Sequence, residues 1–192
     1  MIYLASASPR RQELLRQLGV EFDPMPSNIL EVRETGESPA QYVTRVAGDK
    51  ARWVAQLVKK RGLPIHPVLG ADTEVVLDSE ILGKPENAAH GMELLRRLSG
   101  RTHEVLSAVC IWNHEKEYTS LSTSRVTFCP LTSTEIEQYW KTGEPVGKAG
   151  AYAIQGRAAA FVAKLEGSYS GVMGLPLHEL DEILRKIGAG GV

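Results

Sequence analysis

The strongest limit on the fold comes from two runs, His103 to Asn113 and Tyr118 to Phe128, in which β-branched, apolar and polar residues alternate. Period-two alternation is the pattern of a strand with two unlike faces, and two such runs this close in sequence pair antiparallel. Helical signals lie on both sides of them, so the chain reads as mixed α/β. Ile2-Tyr3-Leu4-Ala5 is a strand that runs through Ser6-Ala7-Ser8-Pro9 into a helix bearing Leu14, Leu15 and Leu18, with Gly19 as its stop. Ser38-Pro39-Ala40-Gln41 is a capping pattern opening a helix that ends near Arg61-Gly62. Val68-Leu69-Gly70-Ala71 reads as a short buried strand ending on Asp72, and Glu74 to Leu77 with Ile81-Leu82 as a hairpin about Asp78 and Ser79. Asn87 to Leu98 is a helix stopped by Gly100, Thr132-Ser133-Thr134-Glu135 opens another through Trp140, and Leu177 to Ile187 forms a terminal one.

Charge narrows the function. Lys and Arg number 22 against 23 Asp and Glu, a net charge of −1, so no global field draws in a nucleic-acid backbone or an anionic membrane. Any positive site is local, and the basic run Lys59 to Arg61 is a solvated helix end. Cys110 and Cys129 lack CxxC spacing, which argues against a zinc or redox site. With 192 residues the chain can bury roughly 70% of its unfolded surface, so it needs neither disulfides nor a structural metal. No cationic leader and no apolar run of about 18 residues is present, and the expectation is a cytoplasmic protein with no membrane or nucleic-acid partner.

The chemistry-bearing residues fall in a few clusters. Ser6-Ala7-Ser8-Pro9-Arg10-Arg11 brings hydroxyls, guanidiniums and free backbone donors to one helix N-terminus, which is either an anion site or a set of caps and surface arginines. Asp72, in Gly70-Ala71-Asp72-Thr73, is a carboxylate that can hold a metal, activate water, or simply turn the chain. Gly83-Lys84-Pro85 can bring an ammonium to the same place, and Lys50 and Glu31 complete a set of two carboxylates and several cations. Glycines crowd Lys148 to Gly156 and Gly167 to Gly174, yet neither stretch matches a P-loop or a GxGxxG fingerprint.

Taken together, Ser6-x-Ser8-Pro9-Arg10-Arg11, Glu31, Lys50-Ala51, Gly70-Ala71-Asp72-Thr73, Gly83-Lys84-Pro85, Ser99-Gly100-x-x-His103, Lys148-Ala149-Gly150-Ala151-Tyr152-x-Ile154-Gln155-Gly156 and Gly174-Leu175-Pro176-Leu177 resemble the Maf family of nucleoside triphosphate pyrophosphatases almost from end to end. The resemblance implies residues 1–192 as one Maf-like domain: an α/β fold with a mixed central sheet split into two lobes around a deep cleft, related to inosine triphosphatase, commonly a homodimer. It further implies hydrolysis between the α and β phosphates, giving a nucleoside monophosphate and pyrophosphate with Mg²⁺ or Mn²⁺ as cofactor. Arg10, Thr73 and Gln155 match the branch acting on dTTP and UTP. A second branch, acting on 7-methyl-GTP, carries an aromatic residue in place of Arg10. Glu144, where Asp is frequent, and Met173 depart from the family pattern.

On this resemblance Asp72 activates the attacking water, directly or through a divalent cation held by Asp72 and Glu31. Ser6, Ser8, Arg11, Lys50 and Lys84 position the triphosphate, and Arg10, Thr73 and Gln155 set specificity for the pyrimidine nucleoside triphosphate. Gln155 can match uracil O4 and N3–H, but a free amide rotates, so it discriminates only if a neighbour fixes it. A nucleotide-binding regulator of cell division with little turnover would use the same phosphate donors.

Overall fold

A computed structural model describes residues 1–189 and arranges them about one seven-stranded mixed sheet. In chain order the elements are β1 (Ile2–Leu4), α1 (Pro9–Gln17), β2 (Phe22–Pro24), α2 (Pro39–Lys60), β3 (Val68–Leu77), β4 (Glu80–Leu82), α3 (Ala88–Leu98), β5 (Thr102–Asn113), β6 (Lys116–Phe128), α4 (Ser133–Lys141), β7 (Val162–Glu166), α5 (Tyr169–Met173) and α6 (Leu177–Lys186). Two short 3-10 turns occupy Ala149–Ala151 and Arg157–Phe161. Across the sheet the order is β2-β1-β3-β5-β6-β7, with β4 also on β3. β1 lies parallel to β2 and β3, and the remaining pairs are antiparallel. Among the described residues no helix is long and apolar enough to cross a membrane.

The local signals act as their chemistry requires. Ser38 and Gln41 form a reciprocal capping box at the start of α2, and Thr132 and Glu135 do the same for α4. Asp78 and Ser79 have φ of 52° and 66°, and His114 and Glu115 of 46° and 64°; both pairs make the two-residue turns whose twist suits a hairpin.

One expected boundary is corrected. The strand does not end on Asp72; β3 continues to Leu77, because β5 offers an unbroken partner from Val68↔Trp112 to Val76↔Glu104. Asp72 therefore sits in mid-strand, and Asp72 and Glu74 project from one face while Thr73 projects from the other.

Helix α2 covers the Asp72 face, with Val43, Ala47, Ala51, Val54 and Val58 packed on Val68, Val76, Leu106 and Ala108. Contact is closest at Gly70, where a Cβ would stand 2.0 Å from the Ala47 carbonyl oxygen and 2.7 Å from Ala51 N. No other residue fits there. The opposite face carries two separate apolar clusters: Leu4, Leu14, Leu69, Ala71 and Ile111 under α6, and Val75, Leu82, Leu95, Val105 and Phe128 under α3 and α4. Along β3 they are divided by Thr73.

The free edge of β3 is divided at the same place. β1 pairs with Val68 and Leu69, β4 pairs with residues from Val75 onward, and residues 70–74 have no strand neighbour on that side among the described residues. This interruption separates the two lobes and opens the cleft between them.

Candidate active site

The cleft has a volume of about 1220 Å³, and residues 72–75 of β3 reach it from both faces of the sheet. Below the edge, α1 is entered through Ser8, whose Oγ accepts from Arg11 N at 3.5 Å, with Pro9 in the first turn. Ser6 Oγ accepts from Ser8 N at 3.2 Å and from Arg11 Nη1 at 3.3 Å, so both its lone pairs are used and its proton is free to be given to a ligand. The Arg11 guanidinium also donates Nε–H to the Gly174 carbonyl at 2.8 Å and Nη2–H to Thr73 Oγ1 at 3.4 Å. Three of its five N–H groups are thus spent on holding it, and two remain for an anion. Burial lowers its pKa from the ordinary arginine value, while Asp72, Glu31 and Glu74 pull the other way.

Above the edge the charge is reversed. Lys50, delivered by the Gly70 contact, places Nζ 2.7 Å from Asp72 Oδ1 and 2.9 Å from Glu31 Oε1. The Lys50 and Asp72 side chains are only 8% and 6% exposed, and a pair buried that deeply persists only when hydrogen-bonded as here. Glu31 arrives from the irregular segment between β2 and α2. Its backbone carbonyl accepts from Tyr42 Oη at 3.3 Å, and Arg45 donates to the neighbouring Val32 carbonyl at 2.9 Å. Burial works to raise the Glu31 carboxyl, but the Lys50 hydrogen bond and the charges of Lys50, Lys84 and Arg11 outweigh it and hold the pKa below the usual value. Glu74 has no such partner. Burial, then the Asp72 charge, raise it to about 8, so at neutral pH it carries a proton more often than not.

Arg10 of α1 and, from the far lobe, Lys84, Lys148 and Gln155 line the same cleft. Burial and the charge of Arg11 depress the Arg10 pKa; burial and the charge of Arg10 depress that of Lys148, against Glu144. Crowded cations of this kind call for an anion. Gly150 N donates to the Gly83 carbonyl at 3.1 Å, tying the Lys84 loop to the Lys148–Gly156 stretch. Glu144 anchors that stretch by accepting from Tyr139 Oη at 2.7 Å and Arg157 N at 2.9 Å, and it fills the space a Cβ on Gly156 would need. Gln155 itself is exposed, and no hydrogen bond among the described residues fixes its amide.

The oxygen chemistry fits a hard divalent cation. Asp72 Oδ2 and Glu74 Oε2 are buried without hydrogen-bond partners, and Glu31 stands across Lys50 from Asp72. Among the described residues no three His, Cys, Asp or Glu side chains are grouped to hold a metal ion.

Every residue singled out from the sequence lines this one cleft: Ser6, Ser8, Arg10, Arg11, Glu31, Lys50, Asp72, Thr73, Lys84 and Gln155. Sequence reasoning missed Glu74 and Ser107. Reading β3 as one strand would have found Glu74, two residues from Asp72 on the same face, and Ser107 lies directly opposite Thr73 in the β3–β5 register.

Comparison with known proteins agrees in kind. The Maf-like protein family is matched by residues 1–187. A dTTP/UTP pyrophosphatase of Alkalilimnicola ehrlichii is 54% identical over 184 residues, covering 95% of this chain and 91% of its own length. Proteins of that same name from Methylococcus capsulatus and a Polaromonas species are 52% and 49% identical, covering 98% and 97% of this chain and 92% and 96% of their own. Protein VC0702 of Vibrio cholerae, a solved structure, aligns at a TM-score of 0.39 and 13% identity, over 71% of this chain and 68% of its own, too distant to bear on the fold.

Proposed function

The chain belongs to the Maf family, and from that membership and the chemistry of the cleft we propose that it is a nucleoside triphosphate pyrophosphatase acting on dTTP and UTP. The products are the nucleoside monophosphate and pyrophosphate. One observation carries the reading: Asp72, whose Oδ2 is buried without a partner among the described residues, lines the same opening as Arg11 and Lys84. That arrangement sets a base beside a grip for a polyanion.

The triphosphate lies along the open edge of β3, with the Ser6 hydroxyl, the two free N–H groups of Arg11, and Lys84 on its oxygens. Lys50 bonds Asp72 Oδ1 and thereby turns Oδ2 toward the water that attacks the α phosphorus; Oδ2 takes the proton. Positioning and electrostatics supply most of the acceleration in phosphoryl chemistry. Asp72 and Glu31 would hold a Mg²⁺ or Mn²⁺ ion, which when bound neutralises charge on the phosphate oxygens. Gln155 reads the pyrimidine edge, with Arg10 beside it. Because no hydrogen bond among the described residues holds its amide, Gln155 orders only against the base, and a homodimeric assembly is part of the same proposal.

The test is to incubate the protein with dTTP, UTP, CTP, GTP and 7-methyl-GTP in the presence of Mg²⁺ or Mn²⁺ and to separate the products by anion exchange. Equal amounts of UMP and pyrophosphate, with dTTP and UTP preferred, are expected. Release of UDP and phosphate, or tight binding of UTP without products, would overturn the reading, the latter in favour of a nucleotide sensor.

A further inference from the structure

We propose that Ser107 is a positioning residue for the phosphate grip, acting on Arg11 through the hydroxyl of Thr73. The inference rests on the reading of Arg11 as a phosphate ligand. It follows from donor and acceptor counting in a chain that crosses from α1 to β3 to β5. A guanidinium only donates, so at the 3.4 Å contact with Arg11 Nη2 the Thr73 oxygen accepts. Its own proton then points elsewhere, and Ser107 Oγ stands 2.8 Å away. Either hydroxyl can donate across that contact; with Ser107 accepting, the Thr73 rotor is fixed so that a lone pair, not the proton, meets Arg11. A rotor turned the other way would set a hydroxyl proton against a cation.

The geometry leaves little else for Ser107 to do. It is 1% exposed, lies directly across the strand register from Thr73, and falls at the divide between the two apolar clusters, where an aliphatic side chain would otherwise pack. Arg11 and Thr73 also meet at Gly174, whose φ of 125° disfavours any residue with a side chain and whose Cβ position would lie 3.9 Å from both Arg11 Nε and Thr73 Oγ1. The guanidinium is thus held at three points, by Gly174, Ser6 and Thr73, and only the third is steered from a second strand. On this account Thr73 sets specificity indirectly: it fixes where Arg11 presents its free N–H groups along the phosphate chain, and hence how far the base reaches toward Gln155.

The experiment measures the affinity of inorganic tripolyphosphate by calorimetry, alongside kcat and KM for UTP, in Ser107→Ala, Thr73→Val, Thr73→Ser and the Ser107→Ala/Thr73→Val double variant. Loss of one steered hydrogen bond weakens tripolyphosphate about three- to tenfold in Ser107→Ala and in Thr73→Val, and raises KM more than it lowers kcat. The double variant is no weaker than Thr73→Val alone, and Thr73→Ser binds as wild type. Additive losses, an unchanged affinity in Ser107→Ala, or a fall in melting temperature without a change in affinity would overturn the proposal. Should Ser107→Ala fail to fold, the contrast between Thr73→Val and Thr73→Ser still decides it, since equal affinities would remove the hydroxyl from the grip. Wild-type protein that binds tripolyphosphate but leaves dTTP and UTP intact would sink the proposed activity and leave this inference standing.

Discussion

At the scale of the residue, the cleft works by giving neighbouring groups of one type different partners. Asp72 and Glu74 extend from the same face of β3, yet Lys50 binds the first and not the second. Lys50 leaves Asp72 Oδ2 free for base work, while Glu74, raised to about 8 by burial and then the Asp72 charge, adds little repulsion beside it. Replacing Asp72 by Asn keeps an oxygen for Lys50 but removes the proton acceptor, and kcat for UTP is expected to fall about 10²- to 10⁴-fold with the fold intact by circular dichroism. His103 offers a test of stability. Buried at 2% exposure, with Tyr152 Oη 2.9 Å from Nε2 and no partner for Nδ1 among the described residues, its imidazole is pushed down to about 4 by burial. Between pH 6.5 and about 4 the unfolded chain takes up a proton that the folded one refuses. Stability is therefore complete above pH 6.5 and is lost as the pH falls through that window, at up to about 1.4 kcal/mol per pH unit. In His103→Gln, melting temperatures measured across the window should lose that part of their slope. Both groups show the limit of the sequence: His103 stands in a recognisable family motif, but Glu74 is an ordinary alternating position until Asp72 is known to lie in the same strand.

At the scale of the element, what was legible depended on how much of each signal was local. The capping boxes of α2 and α4, the Pro9 start of α1 and the hairpin turn at Asp78 and Ser79 are decided by residues within a few positions of one another, and the sequence carries them plainly. β2 and β7 are short strands held by their neighbours, and α5 spans only five residues, so none has a period long enough to register. The irregular segment carrying Glu31 has no periodicity at all; its path is set by Arg45, Tyr42 and Lys50 on α2, which no local pattern announces. The break placed at Asp72 failed for a related reason, since the lysine that pairs with this buried acid comes from α2, outside the strand's own sequence. That delivery depends on Gly70. Gly70→Ala would force α2 off the sheet against the backbone at Ala47 and Ala51, and a loss of about 2–4 kcal/mol in denaturant unfolding is expected, with activity falling in the fraction that still folds because Lys50 moves with the helix.

At the scale of the molecule, a chain of net charge −1 gathers Arg10, Arg11, Lys84 and Lys148 about one opening and scatters most of its remaining ion pairs over exposed surface, where they are worth little. Attraction for a triphosphate is thus local and steep. KM for UTP should rise several-fold between 50 mM and 500 mM salt as the screening length shrinks from above about 10 Å toward a few ångströms, while kcat changes little. If KM were insensitive to salt, the cation cluster would not be gripping the phosphates.

The interruption in the edge of β3 also sets a dimension. β1 and β4 approach that edge from opposite ends, and of the stretch they leave unpaired, residues 72–74 line the cleft, a span of roughly 10 Å at about 3.3 Å per residue. The floor of the slot is consequently main chain, which side-chain substitution cannot erase, and its length is counted in whole residues. Extending either flanking strand would shorten it in discrete steps, so relatives built on the same sheet can exchange the groups overhanging the slot while their ruler for the phosphate tail stays the same.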